Sequence, residues 1–349
     1  MRKKNVILLV LLLVGCLTAC SGKTDNEATK EPQSTAKANG FKVGIIIPEV
    51  ESKDSDFVQS AIDGLNNFEK KTGCEIAIEE IKNEEYIEEA VKALVGKECD
   101  LIWSVGASYG DNLVEVAKSY PDINFAIVDG QYENAPANVT GVGFKSNEAS
   151  FLAGYVAALK SKTNKIGFIG GMEGEVIDGF RVGYEAGAKY YNEDIVVVVE
   201  YSDSFTDKEK VRTIAKNMYS NGCDVIFPAA GAAGLACIEE AVSQNKYVIG
   251  VDRDQSDLGE DVVITSVLKM VDSAVEYVCL RAKEGIDIGG QNLTYGLSDG
   301  AVGISKYSDE HIPLSEQNKL DNLKEMIVSD SLVIPKTQTQ LSNFEVEMD

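Results

Sequence analysis

The chain has 349 residues, 33 Lys and Arg against 56 Asp and Glu, and a formal net charge of −23. Acidity of this size keeps the chain soluble and argues against nucleic acid or anionic lipid as a surface partner. The single histidine, His311, lies in the polar run Ser308-Asp309-Glu310-His311 near Pro313; a solvated loop histidine is expected there, which disfavours a Ser-His-Asp triad, a His-rich metal site or a histidine base.

The chain opens with Met1-Arg2-Lys3-Lys4, an apolar run from Val6 to Val14, and Leu17-Thr18-Ala19-Cys20. A basic start and a short apolar core make an export signal, because the charge stays inside while the core enters the membrane. The run falls short of the roughly 20 apolar residues that span a bilayer. Leu17 to Cys20 resembles the lipobox of bacterial lipoproteins, in which the cysteine sulfur is lipidated before cleavage. Leu13-Val14-Gly15-Cys16 also fits, but apolar Leu17 follows it, whereas polar Ser21-Gly22 follow Cys20. Residues 1–19 are therefore expected to be a signal peptide and Cys20 the lipidated first residue of a protein tethered to the extracytoplasmic face of the cell membrane. Removing Arg2, Lys3 and Lys4 takes the charge from −23 to −26. Residues 20–40 carry few large apolar groups and are expected to form a flexible linker.

From Phe41 onward, short β-branched runs alternate with helical stripes. Val43 to Ile47 reads as a strand, and Phe57, Ala61, Leu65 and Phe68 form one helical face. Strands at Glu75–Ile78, Leu101–Trp103 and Asn124–Val128 follow, with helices at Tyr86–Val95 and Asn112–Ser119. A second set begins with a helix at Ala149–Leu159 and a strand at Lys165–Ile169. It continues with a helix at Val176–Tyr191, a strand at Ile195–Val199, a helix at Lys208–Tyr219, a strand at Asp224–Phe227, a helix at Ala232–Ser243 and a strand at Tyr247–Val251. A strand near Val262–Thr265, a helix at Val267–Lys283, a further strand and a helix at Leu314–Val328 are too little for a third domain and are expected to complete the two lobes. Such βα repetition predicts α/β lobes with doubly wound parallel sheets. The expected division is 41–146 with 254–297 for the N-terminal lobe and 147–253 with 298–349 for the C-terminal lobe. The odd set Cys74, Cys99, Cys223, Cys237 and Cys279, without a CxxC pair, predicts small buried residues, not a disulfide framework.

Ligands of open parallel sheets bind at the carboxyl ends of the strands. Pro48-Glu49, Asp129-Gly130, Gly170-Gly171-Met172-Glu173, Pro228-Ala229-Ala230-Gly231 and Asp252-Arg253-Asp254-Gln255 fall there, so two lobes facing each other would make a polar cleft. Gly167 to Met172 lacks the GxGxxG spacing of a dinucleotide fold and reads as a tight strand-to-helix turn. No GxxxxGK[ST] occurs. Asp252 and Asp254 invite a reading as an acid–base pair or a Mg²⁺ site; with no further carboxylate pair or phosphate loop beside them, polar ligand contact or solvated surface is the expectation. No cofactor and no metal are expected.

Phe151 to Ala158 (FLAGYVAA), Gly167 to Gly187 (GFIGGMEGEVIDGFRVGYEAG), Asp224 to Gly234 (DVIFPAAGAAG), Gly250 to Gln255 (GVDRDQ) and Thr265 to Asp272 (TSVLKMVD) resemble the basic membrane protein family, lipoprotein solute receptors of ABC importers similar to purine-nucleoside receptors. The resemblance runs from about Val43 to Pro335. It implies a type I periplasmic-binding-protein clamshell, two lobes joined by a hinge. It also implies that Phe57 and Phe180 sandwich a base, and that Asp129, Gly231, Asp252 and Lys269 are polar ligand contacts. The family usually has an aspartate after the first strand and an asparagine after the aromatic; Pro48 and Val58 align there, and Glu49 or Asp56 are candidate substitutes.

The expected function is a monomeric, non-enzymatic receptor that binds a nucleoside, a purine first, and delivers it to ABC permease subunits. The alternatives are a pyrimidine nucleoside, a nucleobase or a sugar in the same clamshell, or a sensory role. A nucleoside hydrolase or Rossmann-type oxidoreductase would need an aspartate cluster with Ca²⁺ or a true GxGxxG, and the sequence has neither.

Overall fold

The computed structural model describes residues 40–49, 55–305 and 311–344. The expected signal peptide, Cys20 and linker residues 20–39 lie outside the described residues, as do 50–54, 306–310 and 345–349.

The first six-stranded sheet has the order β2-β1-β3-β4-β5-β11. Its strands are β1 (Lys42–Pro48), β2 (Glu75–Ile81), β3 (Leu101–Val105), β4 (Asn124–Val128), β5 (Val139–Phe144) and β11 (Gln291–Tyr295), all paired in parallel. Helices α1 (Asp56–Thr72) and α8 (Val271–Lys283) cover one face, where Leu65, Phe68, Trp103 and Val275 are buried. On the other face, α2 (Ile87–Gly96) and α3 (Ala107–Ala117) bury Val91, Leu94, Leu113 and Phe125. The burial of β1, β3 and β4 on both faces explains why they read as continuous apolar runs.

The second sheet repeats the plan as β7-β6-β8-β9-β10-β12. Here β6 (Lys165–Gly170), β7 (Val196–Tyr201), β8 (Val225–Ala229), β9 (Tyr247–Asp252) and β10 (Val263–Lys269) are parallel, and β12 (Val302–Ile304) runs antiparallel on the edge. Helices α4 (Ser146–Lys160), α5 (Glu175–Tyr191) and α9 (Leu314–Val328) share one face, and α6 (Lys208–Ser220) with α7 (Leu235–Gln244) the other. A short helix, α10 (Gln338–Ser342), follows the last long one. A Cβ on Gly187 would lie 1.8 Å from the Phe151 carbonyl oxygen, and one on Gly154 2.1 Å from that of Tyr184. The glycines in FLAGY and GYEAG therefore let α4 and α5 touch backbone to backbone.

Two expectations about the strands and helices change. Residues 263–269, assigned with 254–297 to the first lobe, form β10 of the second sheet, in register with β9 from Val263↔Val248 to Leu268↔Asp252. The helix expected from Val267 starts at Val271, so Lys269 ends a strand. Apolar β-branched runs look alike whichever sheet they join; hydrogen-bonded pairing alone decides membership. The chain thus crosses between sheets after β5, after β10 and after β11. The crossings are bonded to one another or to neighbouring turns: Lys145 N–H donates to Tyr295 O at 2.8 Å and Met270 N–H to Ala301 O at 2.8 Å. Leu297 N–H donates to the Glu148 carboxylate at 2.8 Å.

Among the described residues the five cysteines are free thiols; Cys99, Cys223, Cys237 and Cys279 are buried and Cys74 is partly exposed. His311 is half-buried, its carbonyl accepting from Lys160 Nζ at 3.1 Å; the solvated loop histidine is corrected to that extent.

Candidate functional site

Strand carboxyl ends of both sheets meet at a cavity of about 940 Å³. Phe57, Asp129, Phe180, Gly231, Asp252 and Lys269, which share no sequence neighbourhood, all line it.

Each lobe supplies an aromatic ring from the start of a helix. Ser55 caps α1, its Oγ accepting from Val58 N–H at 3.4 Å, and this places Phe57 in the first turn. Phe180 sits near the start of α5, 3% exposed, with its ring 6.1 Å from that of Phe227. It belongs to the second-lobe core as well as to the cavity wall.

Each lobe also supplies an aspartate at the carboxyl end of its fourth strand in winding order. Asp129 follows β4 with φ 64°, and Asp252 ends β9 with φ 67°. Both occupy the left-handed region, which Asp tolerates better than most L-residues but at some cost. The same strained turn at equivalent points of both sheets aims two carboxyl groups at one space. Burial, first of all, pushes the Asp252 carboxyl up to about 6; Asp129 and Asp56 add to that, and Lys269 opposes it.

Lys269 stands between the lobes. Its Nζ donates to Asp129 Oδ2 at 2.6 Å, with the two side chains 2% and 9% exposed. The same ammonium lies 4.6 Å from the ring centre of Phe57, 5.1 Å from Phe144 and 5.7 Å from Phe180. A desolvated cation over ring faces is attracted by about 2 kcal/mol or more. The buried charge is thereby held by a carboxylate and three rings contributed from both lobes.

Gly231, with φ 54°, turns the chain after β8, and a Cβ there would come 3.2 Å from Phe205 Cβ. Phe205 also closes on Gly171, so the Gly170-Gly171 turn makes room for a ring at the cavity wall. Sequence reasoning missed Phe144 and Phe205. Phe144 was accessible in principle, as the last residue of β5, a strand the apolar pattern left unassigned. Phe205 lies in a loop and carries no periodic signal. The segment around Val333 to Gln340 also borders the cavity.

Pro48 and Val58 do not line the cavity: Pro48 is buried at the end of β1, and Val58 is 1% exposed in the first-lobe core. Glu49 is exposed and its N–H donates to Ile81 O. Asp56 does not line the cavity either; its Oδ2 accepts from Gln255 Nε2 of the other lobe at 2.8 Å. Among the described residues, no group of His, Cys, Asp and Glu is arranged to hold a metal ion.

The sequence profile described as "ABC transporter substrate-binding protein PnrA-like" matches residues 41–338. The chain belongs to this Bmp family. Basic membrane protein A1 of Borrelia garinii subsp. bavariensis is 37% identical over 344 residues, covering 97% of this chain and 98% of that protein. The CD4+ T-cell-stimulating antigen of Listeria monocytogenes is 35% identical over 96% of this chain and 99% of its own length. In fold, an ABC transporter solute-binding protein of Aeropyrum pernix superposes with a TM-score of 0.77 at 23% identity, over 87% of this chain and 96% of that one. The two-lobed architecture is thus of the periplasmic-binding-protein type. The family consists of solute-binding proteins of ABC transporters, which bind small molecules and work with permease components; it is not a family of enzymes. No helix among the described residues is long and apolar enough to cross a membrane.

Proposed function

We propose that this protein is a lipid-anchored receptor, tethered through Cys20, that captures a nucleoside, a purine first, between its lobes and hands it to an ABC permease. The observation that carries the reading is the convergence of Phe57 and Phe180, one from each lobe, on the same Lys269 ammonium beside Asp129. Two rings from opposite lobes suit a planar base, each contributing roughly 0.5–1.5 kcal/mol beyond area burial. Carboxylates at Asp129 and Asp252 suit the paired hydroxyls of a ribose, and Lys269 can donate to ring or sugar oxygens. Binding chemistry divided between lobes makes closure solute-dependent, since only the closed state collects every contact.

The apolar Pro48 and Val58, where the family usually has polar groups, favour a second reading in which the same cleft takes another small solute, such as a pyrimidine nucleoside, a nucleobase or a sugar. Calorimetry separates the two readings. The chain from Ser21, unfolded and refolded to strip carried solute, is titrated with guanosine, inosine, adenosine, cytidine, uridine and ribose. Tight binding confined to the purine nucleosides is the expected result; a folded sample silent toward all three overturns the purine assignment.

A further inference from the structure

Beyond the cavity, the lobes touch through a second set of polar groups that no solute would reach. In the second lobe, the loop after β9 carries Arg253 and Gln255; in the first, α1 carries Asp56 and Asp63. Neither Arg253, Gln255, Asp56 nor Asp63 lines the cavity. Arg253 Nη2 donates to Asp63 Oδ2, with both side chains partly exposed. Gln255, 6% exposed, is held rigidly: its Oε1 accepts from Val251 N–H at 3.0 Å and its own N–H donates to Ser266 Oγ at 3.0 Å. That leaves its amide Nε2 aimed across the gap at Asp56 Oδ2, 2.8 Å away. A Cβ on Gly250 would come 3.0 Å from the Gln255 side chain and 2.3 Å from Ser266 Oγ, so glycine at that point lets the prong lie against its own sheet.

We infer that Gln255 with Asp56, and Arg253 with Asp63, form a latch that stabilises the closed arrangement of the lobes independently of the solute, and that Arg253 and Gln255 are positioning residues for affinity. The latch joins the residues next to the solute groups of each lobe: Asp56 precedes Phe57 on α1, and Arg253 follows Asp252. Seating Asp56 on Gln255 sets where the first turn of α1, and so the Phe57 ring, lies relative to Asp252. An interaction made only in the closed state raises apparent affinity by enlarging the fraction of molecules competent to bind, without touching the solute. The latch does not depend on which solute the cleft takes.

The test reads closure directly. Small-angle X-ray scattering is recorded on the solute-free chain from Ser21, as wild type, Arg253→Asp, Asp63→Arg, the double variant carrying both, and Gln255→Glu. Arg253→Asp sets two carboxylates against each other at a partly exposed position, so the lobe cores are untouched. Gln255→Glu keeps the oxygen that accepts from Val251 and turns only the prong toward Asp56 repulsive. Both should enlarge the radius of gyration, with the closed-to-open ratio falling at least about tenfold, equivalent to about 1.4 kcal/mol. The charge-exchanged double variant should return toward the wild-type radius, which a general loss of packing would not do. Identical radii across the series, or a double variant as expanded as its parents, would overturn the latch. Titration of the same samples with guanosine keeps the outcomes separate: silence in the wild type refutes the purine assignment, while the scattering still decides the latch.

Discussion

Replacing Asp252 by Asn removes an ionisable group that the fold holds at a cost. Burial lifts this carboxyl from its ordinary 3.8 to about 6, so the folded state binds the proton more tightly than the unfolded chain does. The sign follows by linkage: the relative stability is fully present below about pH 4, where the group is protonated in both states, and is lost as pH rises through about 6. The rise from 3.8 to about 6 corresponds to about 3 kcal/mol of destabilisation at neutral pH. Asn is nearly isosteric, carries no charge and accepts the left-handed backbone at φ 67°. For a chain of this size each kcal/mol moves Tm by about 2 °C. Scanning calorimetry of the solute-free protein should then give a Tm gain for Asp252→Asn of about 6 °C near pH 7.5, about half that near pH 5 and little near pH 4. In the same variant the proposed function requires solute affinity to fall, because a carboxylate facing the cleft is replaced by an amide. A Tm gain of the same size at every pH, or none at pH 7.5, would refute the account of Asp252 as a half-buried, cleft-facing carboxyl.

Phe180→Ala should weaken solute binding and also lower stability by about 3–5 kcal/mol, since the ring is 3% exposed against Phe227. Phe180→Leu should retain most of the stability and still lose affinity; urea titration beside calorimetry distinguishes them, and unchanged affinity in Phe180→Leu would remove the ring from the solute site. Lys269→Met leaves the Asp129 carboxylate buried without its cation and should cost about 3–5 kcal/mol in urea unfolding. The double variant Lys269→Met/Asp129→Asn should recover most of that loss, and simple additivity of the two changes would contradict a direct pair. Gly187→Ala places a Cβ 1.8 Å from the Phe151 carbonyl, which should force α4 and α5 apart and lower Tm; a Tm equal to wild type would show that the helix crossing is not limited by backbone contact.

Much of the fold was legible in the chain because its signals are local. The strands β1, β3, β4, β6, β8 and β9, buried along most of their length, are rich in Val, Ile, Phe and Ala, and their pattern needs no partner to be read. The helical stripe Phe57, Ala61, Leu65 and Phe68 likewise declared α1, three of its four members being buried and Phe57 half-buried at the cleft. The placing of Asp129, Gly231 and Asp252 at the cleft followed from strand order alone, since loops at the carboxyl ends of parallel strands share one edge.

What the chain alone could not show is which sheet a strand joins and which groups from different lobes meet. β10 belongs to the second sheet because its backbone pairs with β9, and no feature of Val263 to Lys269 as a sequence distinguishes that from the first. Lys269, read as a helix residue, is a strand-end cation whose 2.6 Å partner lies 140 residues earlier. Asp56, a candidate solute contact by position, instead accepts from Gln255, 199 residues later. Composition and periodicity determined two wound α/β lobes with a polar edge between them, because burial of alternating segments is a short-range property. The partners across the cleft were decided only by tertiary structure, because a hydrogen bond or ion pair depends on where two lobes come to rest.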